Sequence, residues 1–206
     1  MEQVFLQLIY WKLIIQIPCY NEANILPETL QSLPRKVEGF ESVEWLIIDD
    51  GSTDNSKNII LDFIADNDNV KLIDSFNNKG KSEALNKGFQ YCKGKIIITM
   101  DADLQDPPEL IPQMITLYEN GAQVVNTVRT LRRGESKTKM LVTKLAYRMI
   151  NRISDIRLLE NAGDFKLLGR RVVDEIIKLN EYQPYTRGLV PWVGFLGEKQ
   201  FNRFRL

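Results

Sequence analysis

The stretch IIITMDADLQDPPEL, residues 96–110, decides how the rest of the chain is read. Ile96, Ile97, Ile98 and Thr99 are β-branched and lead into Met100, which favours a strand. Asp101, Asp103 and Asp106 then crowd together with Gln105 among them, and two prolines follow. Carboxylates this close repel one another unless something gathers them. A hard divalent cation does so: Mg²⁺ commonly takes one or two carboxylates plus substrate phosphates. Asp101 and Asp103 alternate at the strand end and can reach one ion if the chain bends. Gln105 could add a carbonyl oxygen. Asp106 is expected to cap the next helix, with Pro107 in its first turn.

Outward from this point, strand and helix patterns alternate. Strands are expected over 13–17, ended by Pro18, and over 45–48, 70–73, 95–100 and 123–128. Helices are expected over 28–36 with Pro27 near the start, from a Ser52 or Thr53 cap to about 66, over 81–92 with Gly94 as the stop, and from Asp106 to 120–121. That order predicts an α/β fold: a mainly parallel sheet with helices on both faces. Ligands of open α/β sheets bind beyond the carboxyl ends of the strands. Three polar clusters would meet there: 18–22, 49–52 and 101–103. The pattern loosens after Arg129, and one domain over 1–206 is expected, without linker or internal repeat.

Composition narrows the chemistry. The 206 residues carry 27 Lys+Arg and 27 Asp+Glu, so bulk charge implies no nucleic-acid partner. No histidine is present, which excludes Ser-His-Asp and Cys-His nucleophile systems and any His-ligated zinc. Cys19 and Cys92 make neither a disulfide framework nor a CxxC pair, so a reducing compartment is expected. No apolar run reaches the ~20 residues of a spanning helix. The apolar start, broken by Gln3, Gln7, Lys12 and Gln16, lacks the features of a signal peptide.

Other motifs fail on spacing. Counted from Asp101, an EF-hand would need Gly where Asp106 stands and Glu where Pro112 stands. GKS at 80–82 lacks the first glycine of a P-loop, because Ser75 occupies its place. No GxGxxG is present.

PCYNE (18–22), IIDDGSTDNS (47–56), NNKGKSEALNKG (77–88) and MDADLQDPPE (100–109) occur in this order. Together they resemble the family 2 glycosyltransferases of GT-A fold. With residues 161–165 (NAGDF) and Trp-x-Gly-Phe at 192–195, the chain is similar to the polyprenyl-phosphate (dolichyl-phosphate-type) branch. The likeness runs over about 13–197. It implies that Pro18, Tyr20 and Glu22 line a nucleotide pocket, that Asp50 contacts base or ribose, and that Lys81 lies near the nucleotide. It implies a metal, Mg²⁺ or Mn²⁺, on Asp101, Asp103 and Gln105, with Asp101 also near the ribose, and an inverting displacement. The donor would be UDP- or GDP-linked. Asp164 matches the family's candidate base, and orienting the acceptor or neighbouring Lys/Arg side chains is its competing role.

Residues 129–157 carry nine basic and two acidic side chains, while the rest of the chain has 18 basic and 25 acidic. Within that segment Val142, Leu145, Ala146, Met149, Ile150 and Ile153 follow helical spacing. A basic amphipathic helix of this kind suits an anionic membrane surface. The acceptor chemistry agrees. A phosphate monoester has a second pKa of about 6, so at neutral pH it is largely an oxyanion and needs aim and charge compensation. Arg129 and Arg133, at and just beyond the fifth strand, are the expected phosphate partners and are assigned to the catalytic set with Asp164.

The function expected is therefore metal-dependent sugar transfer to a polyprenyl phosphate at the cytoplasmic face of a membrane. A soluble glycan or protein acceptor is the alternative. A DxD phosphotransferase is a weaker one, because Gln105 stands at its fifth position. The resemblance also implies a C-terminal membrane anchor that this chain does not carry past residue 206, leaving it peripheral or anchored by such a segment. Homo-oligomerisation is left open.

Overall fold

A computed structural model describes residues 12–33, 42–103, 105–128, 149, 152 and 162–179. The elements run β1 (Lys12–Cys19), α1 (Leu26–Ser32), β2 (Ser42–Asp49), α2 (Ser56–Ala65), β3 (Val70–Asp74), α3 (Lys81–Tyr91), β4 (Ile96–Thr99), a 3₁₀ turn (Pro108–Leu110), α4 (Ile111–Glu119), β5 (Val124–Val128), β6 (Ala162–Gly169) and α5 (Arg170–Leu179). Among the described residues these build one six-stranded sheet in the order β3-β2-β1-β4-β6-β5. β3, β2, β1 and β4 are parallel, and β6 runs antiparallel to both β4 and β5. The expected α/β architecture is present.

Side-chain alternation explains the two covered faces. Leu13, Ile15 and Ile17 of β1 join Trp45 and Ile47 of β2 and Ile96 and Ile98 of β4 on one face, beneath α1, α2 and α4. Ile14, Leu46, Ile48 and Ile97 join the other, beneath Ala84 and Phe89 of α3 and Val172, Val173 and Ile176 of α5. Each fully buried Ile or Leu contributes about 1.5–3 kcal/mol.

Four expectations need correction. β1 does not end at Pro18 but runs to Cys19, paired with β2 throughout. Gln16 and Pro18 turn their backbone toward β4, whose pairing with β1 stops at Gln16, so the missing proline N–H interrupts no ladder. α2 starts at Ser56 with no side-chain cap, because Ser52 is engaged in the loop instead. Asp106 does not cap a helix: its carboxylate accepts the Asp101 N–H at 3.0 Å, and α4 begins only at Ile111. β6 and α5 were not expected, since a strand holding Gly163, Asp164 and a buried Lys166 does not read as one. α1 ends at Ser32, and residues 34–36 of the expected helix lie outside the described residues.

Candidate active site

The carboxyl ends of β1, β2 and β4 open into a cavity of about 280 Å³. Pro18, Tyr20, Glu22, Asp50, Lys81, Asp101 and Asp103 line it, together with Asn78 and the small or apolar Cys19, Ala84 and Ala102. The three polar clusters thus meet at one edge. A second cavity, lined by Leu30, Trp45, Phe63 and Val70 among others, carries no charged side chain.

Two loops lock each other into shape. Asn21 stands at φ 55°, a left-handed conformation that asparagine tolerates. Its side-chain oxygen accepts the Thr53 N–H at 2.8 Å, and its own N–H donates to Ser52 Oγ at 2.9 Å. The Glu22 N–H donates to Ser56 Oγ at 2.9 Å and the Ala23 N–H to Asp54 at 3.1 Å. Ser52 Oγ in turn donates to Asp49 at 2.5 Å. Gly51 sits at φ +75°, where an added Cβ would fall 2.7 Å from the Asn77 carbonyl carbon. Only glycine satisfies both constraints.

Asp50 is buried, and its carboxylate accepts the Gly80 N–H at 2.7 Å and the Lys79 N–H at 3.1 Å. It therefore fixes the loop that delivers Lys81, the first residue of α3. The Lys81 ammonium lies 2.5 Å from Asp101 Oδ1 and 2.8 Å from Asp164 Oδ2. Continuing the Thr99↔Lys166 pairing by two residues brings Asp101 level with Asp164. Thr99 Oγ1 donates to the Asp164 carbonyl and Thr127 Oγ1 to that of Phe165 at 2.8 Å, so β6 is held firmly at this point.

Among the described residues, the cavity lining carries four carboxylates, Glu22, Asp50, Asp101 and Asp103, against one lysine, Lys81. Burial and the fields of Asp103, Asp54 and Asp101 push the Glu22 carboxyl up. Burial draws the Lys81 ammonium down, but its hydrogen bonds to Asp101 and Asp164 outweigh that and leave it raised. Burial, with Asp49 and Glu22, pushes the Cys19 thiol to about 12, so it stays protonated and is no nucleophile.

Among the described residues, no three acidic, His or Cys side chains cluster closely enough to hold a metal by themselves. Asp101 and Asp103 nevertheless face the cavity as hard oxygen donors. Two carboxylates completed by phosphate oxygens suit Mg²⁺ or Mn²⁺. Gln105 is exposed and outside the lining; its N–H donates to Asp103 Oδ1 at 3.1 Å. Arg129 and Arg133 lie outside the described residues, as does the basic segment except Met149 and Arg152, both exposed. Sequence reading missed the bracing roles of Asn21, Ser52 and Ser56 and the lining role of Asn78, although all lie inside the motifs that signalled the site.

The fold is α/β of GT-A type, a mainly parallel sheet whose carboxyl edge gathers carboxylates and a lysine. Residues 14–177 match Glycosyl transferase family 2, and the chain belongs to that family. It is 41% identical over 182 residues to the Bacillus subtilis (strain 168) uncharacterized glycosyltransferase YkcC, covering 88% of this chain and 56% of that protein. It is 34% identical over 210 residues to the Escherichia coli (strain K12) prophage bactoprenol glucosyl transferase homolog, covering 95% and 68%. The chain thus spans little more than half of the B. subtilis relative. The fold is also that of glucosyl-3-phosphoglycerate synthase from Mycobacterium tuberculosis, crystallised with Mn²⁺, UDP-glucose and phosphoglyceric acid. That likeness has a TM-score of 0.61 at 19% identity and covers 95% of this chain and 67% of the synthase.

Proposed function

We propose that this chain transfers a sugar, with inversion, from a nucleoside-diphosphate sugar to a polyprenyl phosphate at a membrane surface. One observation carries the reading: Asp101, Asp103, Lys81 and Asp164 converge beside the cavity that Pro18, Tyr20, Glu22 and Asp50 line. The name of the E. coli relative supports the acceptor class. The Mn²⁺ and UDP-glucose bound by the M. tuberculosis synthase support the donor class and the metal.

In this reading Tyr20, Pro18 and Glu22 receive the nucleoside, and Asp50 holds the 77–80 loop against it. Asp101 and Asp103 would hold Mg²⁺ or Mn²⁺, with Gln105 beside them. A cation held by these residues would supply charge compensation for the departing nucleoside diphosphate. The acceptor phosphate is already an oxyanion at neutral pH, so its oxygen attacks the anomeric carbon as the bond to the diphosphate oxygen breaks on the opposite side. Asp164, held in place through its own carbonyl and paired with Lys81, orients this region and can take a residual acceptor proton.

Arg129 and Arg133 are proposed to hold the acceptor phosphate. The basic 129–157 segment is proposed to lie on anionic lipid of the cytoplasmic face, a role that the 66% exposure of Met149 supports. No helix among the described residues is long and apolar enough to cross a membrane.

The test is product formation from radiolabelled nucleotide-sugars with undecaprenyl phosphate and Mg²⁺ or Mn²⁺, with and without EDTA. Label entering the lipid phase only when metal is present supports the reading. Label appearing only on a water-soluble acceptor would replace the lipid with a soluble glycan or protein.

A further inference from the structure

Lys81 occupies the position that a metal at Asp101 would contest. Its ammonium lies 2.5 Å from Asp101 and 2.8 Å from Asp164, on side chains only 25% and 11% exposed. An ammonium donates to the same carboxylate lone pairs that a hard cation takes. Two cations crowded onto one carboxylate also repel each other strongly wherever solvent screening is reduced. The Lys81 backbone has little freedom to withdraw, because Asp50 grips the Lys79 and Gly80 N–H groups just before it. The side chain, 38% exposed, can swing.

We propose that Lys81 is the resident counter-ion of the site. In the unliganded protein it neutralises Asp101 and disfavours bare divalent metal. When a nucleoside diphosphate arrives with its metal, Lys81 leaves Asp101 for a phosphate oxygen and keeps Asp164 as its second partner. This inference rests on the reading of Asp101 and Asp103 as metal ligands. It makes metal and nucleotide binding mutually dependent. Each tightens the other by the same factor, as linkage requires. The positive charge of the empty site is then supplied by the chain, and that of the loaded site by the metal and Lys81 together.

The test is Mn²⁺ binding, read from the electron paramagnetic resonance signal of the free ion, with and without UDP. The wild-type chain, Lys81→Gln, Lys81→Arg and Asp103→Ala are compared. Without nucleotide, K81Q is expected to bind Mn²⁺ about fivefold more tightly than wild type, the worth of one partly exposed ion pair. The enhancement by UDP is expected to shrink by at least that factor. K81R, which keeps the charge, is expected to stay within about twofold of wild type.

Mn²⁺ affinity that is unchanged or weaker in K81Q overturns the proposal. An equal rise in K81R overturns it too, because charge would then not be the cause. D103A separates the two levels. If it loses Mn²⁺ uptake while K81Q binds like wild type, the metal ligands stand and only the counter-ion role fails. If D103A binds Mn²⁺ like wild type in the presence of UDP, the metal-ligand reading fails and the counter-ion role fails with it.

Discussion

At the amino end of the sheet one carboxylate serves two lysines; at the carboxyl end one lysine serves two carboxylates. Glu44 of β2 lies 2.5 Å from the Lys12 ammonium at the start of β1 and 2.7 Å from that of Lys71 on β3. Burial pushes the Glu44 carboxyl up, but the hydrogen bonds and charges of the two lysines outweigh it and hold it below its usual value. There the buried carboxylate is paired twice, the half-exposed lysines keep their excess charge in water, and three adjacent strands are stitched together. Among the described residues, Lys81, between Asp101 and Asp164 with Glu22, Asp50 and Asp103 lining the same cavity, leaves a surplus of negative charge. The same residue types therefore do opposite work. A satisfied cluster contributes to stability, while an unbalanced one stores the demand for a cationic ligand.

The largest effect that would test this contrast lies at the carboxyl end. Asp103→Ala is expected to lower labelled-product formation by about 10²–10³-fold, the scale of losing a preorganised charge-stabilising group. Its melting temperature should change little, since the variant also relieves repulsion. A melting temperature that falls steeply in D103A would make this end structural like the other.

Asp164→Asn is expected to lower turnover by about 10²-fold, within the range for acid–base and orienting groups. Donor affinity should change far less. A pure rise in KM would instead make Asp164 a binding residue. Gly51→Ala tests the scaffold between the clusters. With φ at +75° and its Cβ pressed on Asn77, it should lose about 2 kcal/mol in urea unfolding. Activity in the folded fraction should also fall, because the 77–80 loop carries Lys81.

Glu44→Gln should have the smallest effect, about 1 kcal/mol at neutral pH, with sugar transfer unaltered. The sign follows from its lowered folded-state pKa. Its contribution is present above the unfolded carboxyl value and is lost as pH falls through the folded one. Acid-unfolding curves of E44Q and wild type should therefore converge at low pH. Divergence there would remove Glu44 from the stabilising cluster.

Much of the site could be read in the chain because its residues sit in contiguous motifs at strand ends. The alternation of β-branched runs with amphipathic segments indicated a parallel sheet, and the open-sheet rule placed 18–22, 49–52 and 101–103 together. The misreadings fell where polar side chains serve a distant partner rather than the nearest helix. Ser52 holds Asn21 and Asp49, and Asp106 folds back on Asp101, although both look like helix caps from local sequence.

By itself the sequence determined the class of fold, the family and the carboxylates at the site, because periodicity and short-range motifs are local properties. Tertiary structure alone decided that β6 inserts antiparallel between β4 and β5, and hence that Asp164 stands level with Asp101. Strand order depends on which apolar faces pack across long chain separations, and β6 carries Asp164 and Lys166 where a strand signal would need apolar side chains. The ammonium shared by Asp101 and Asp164 follows from that insertion, joining residues 81, 101 and 164 that no local pattern connects.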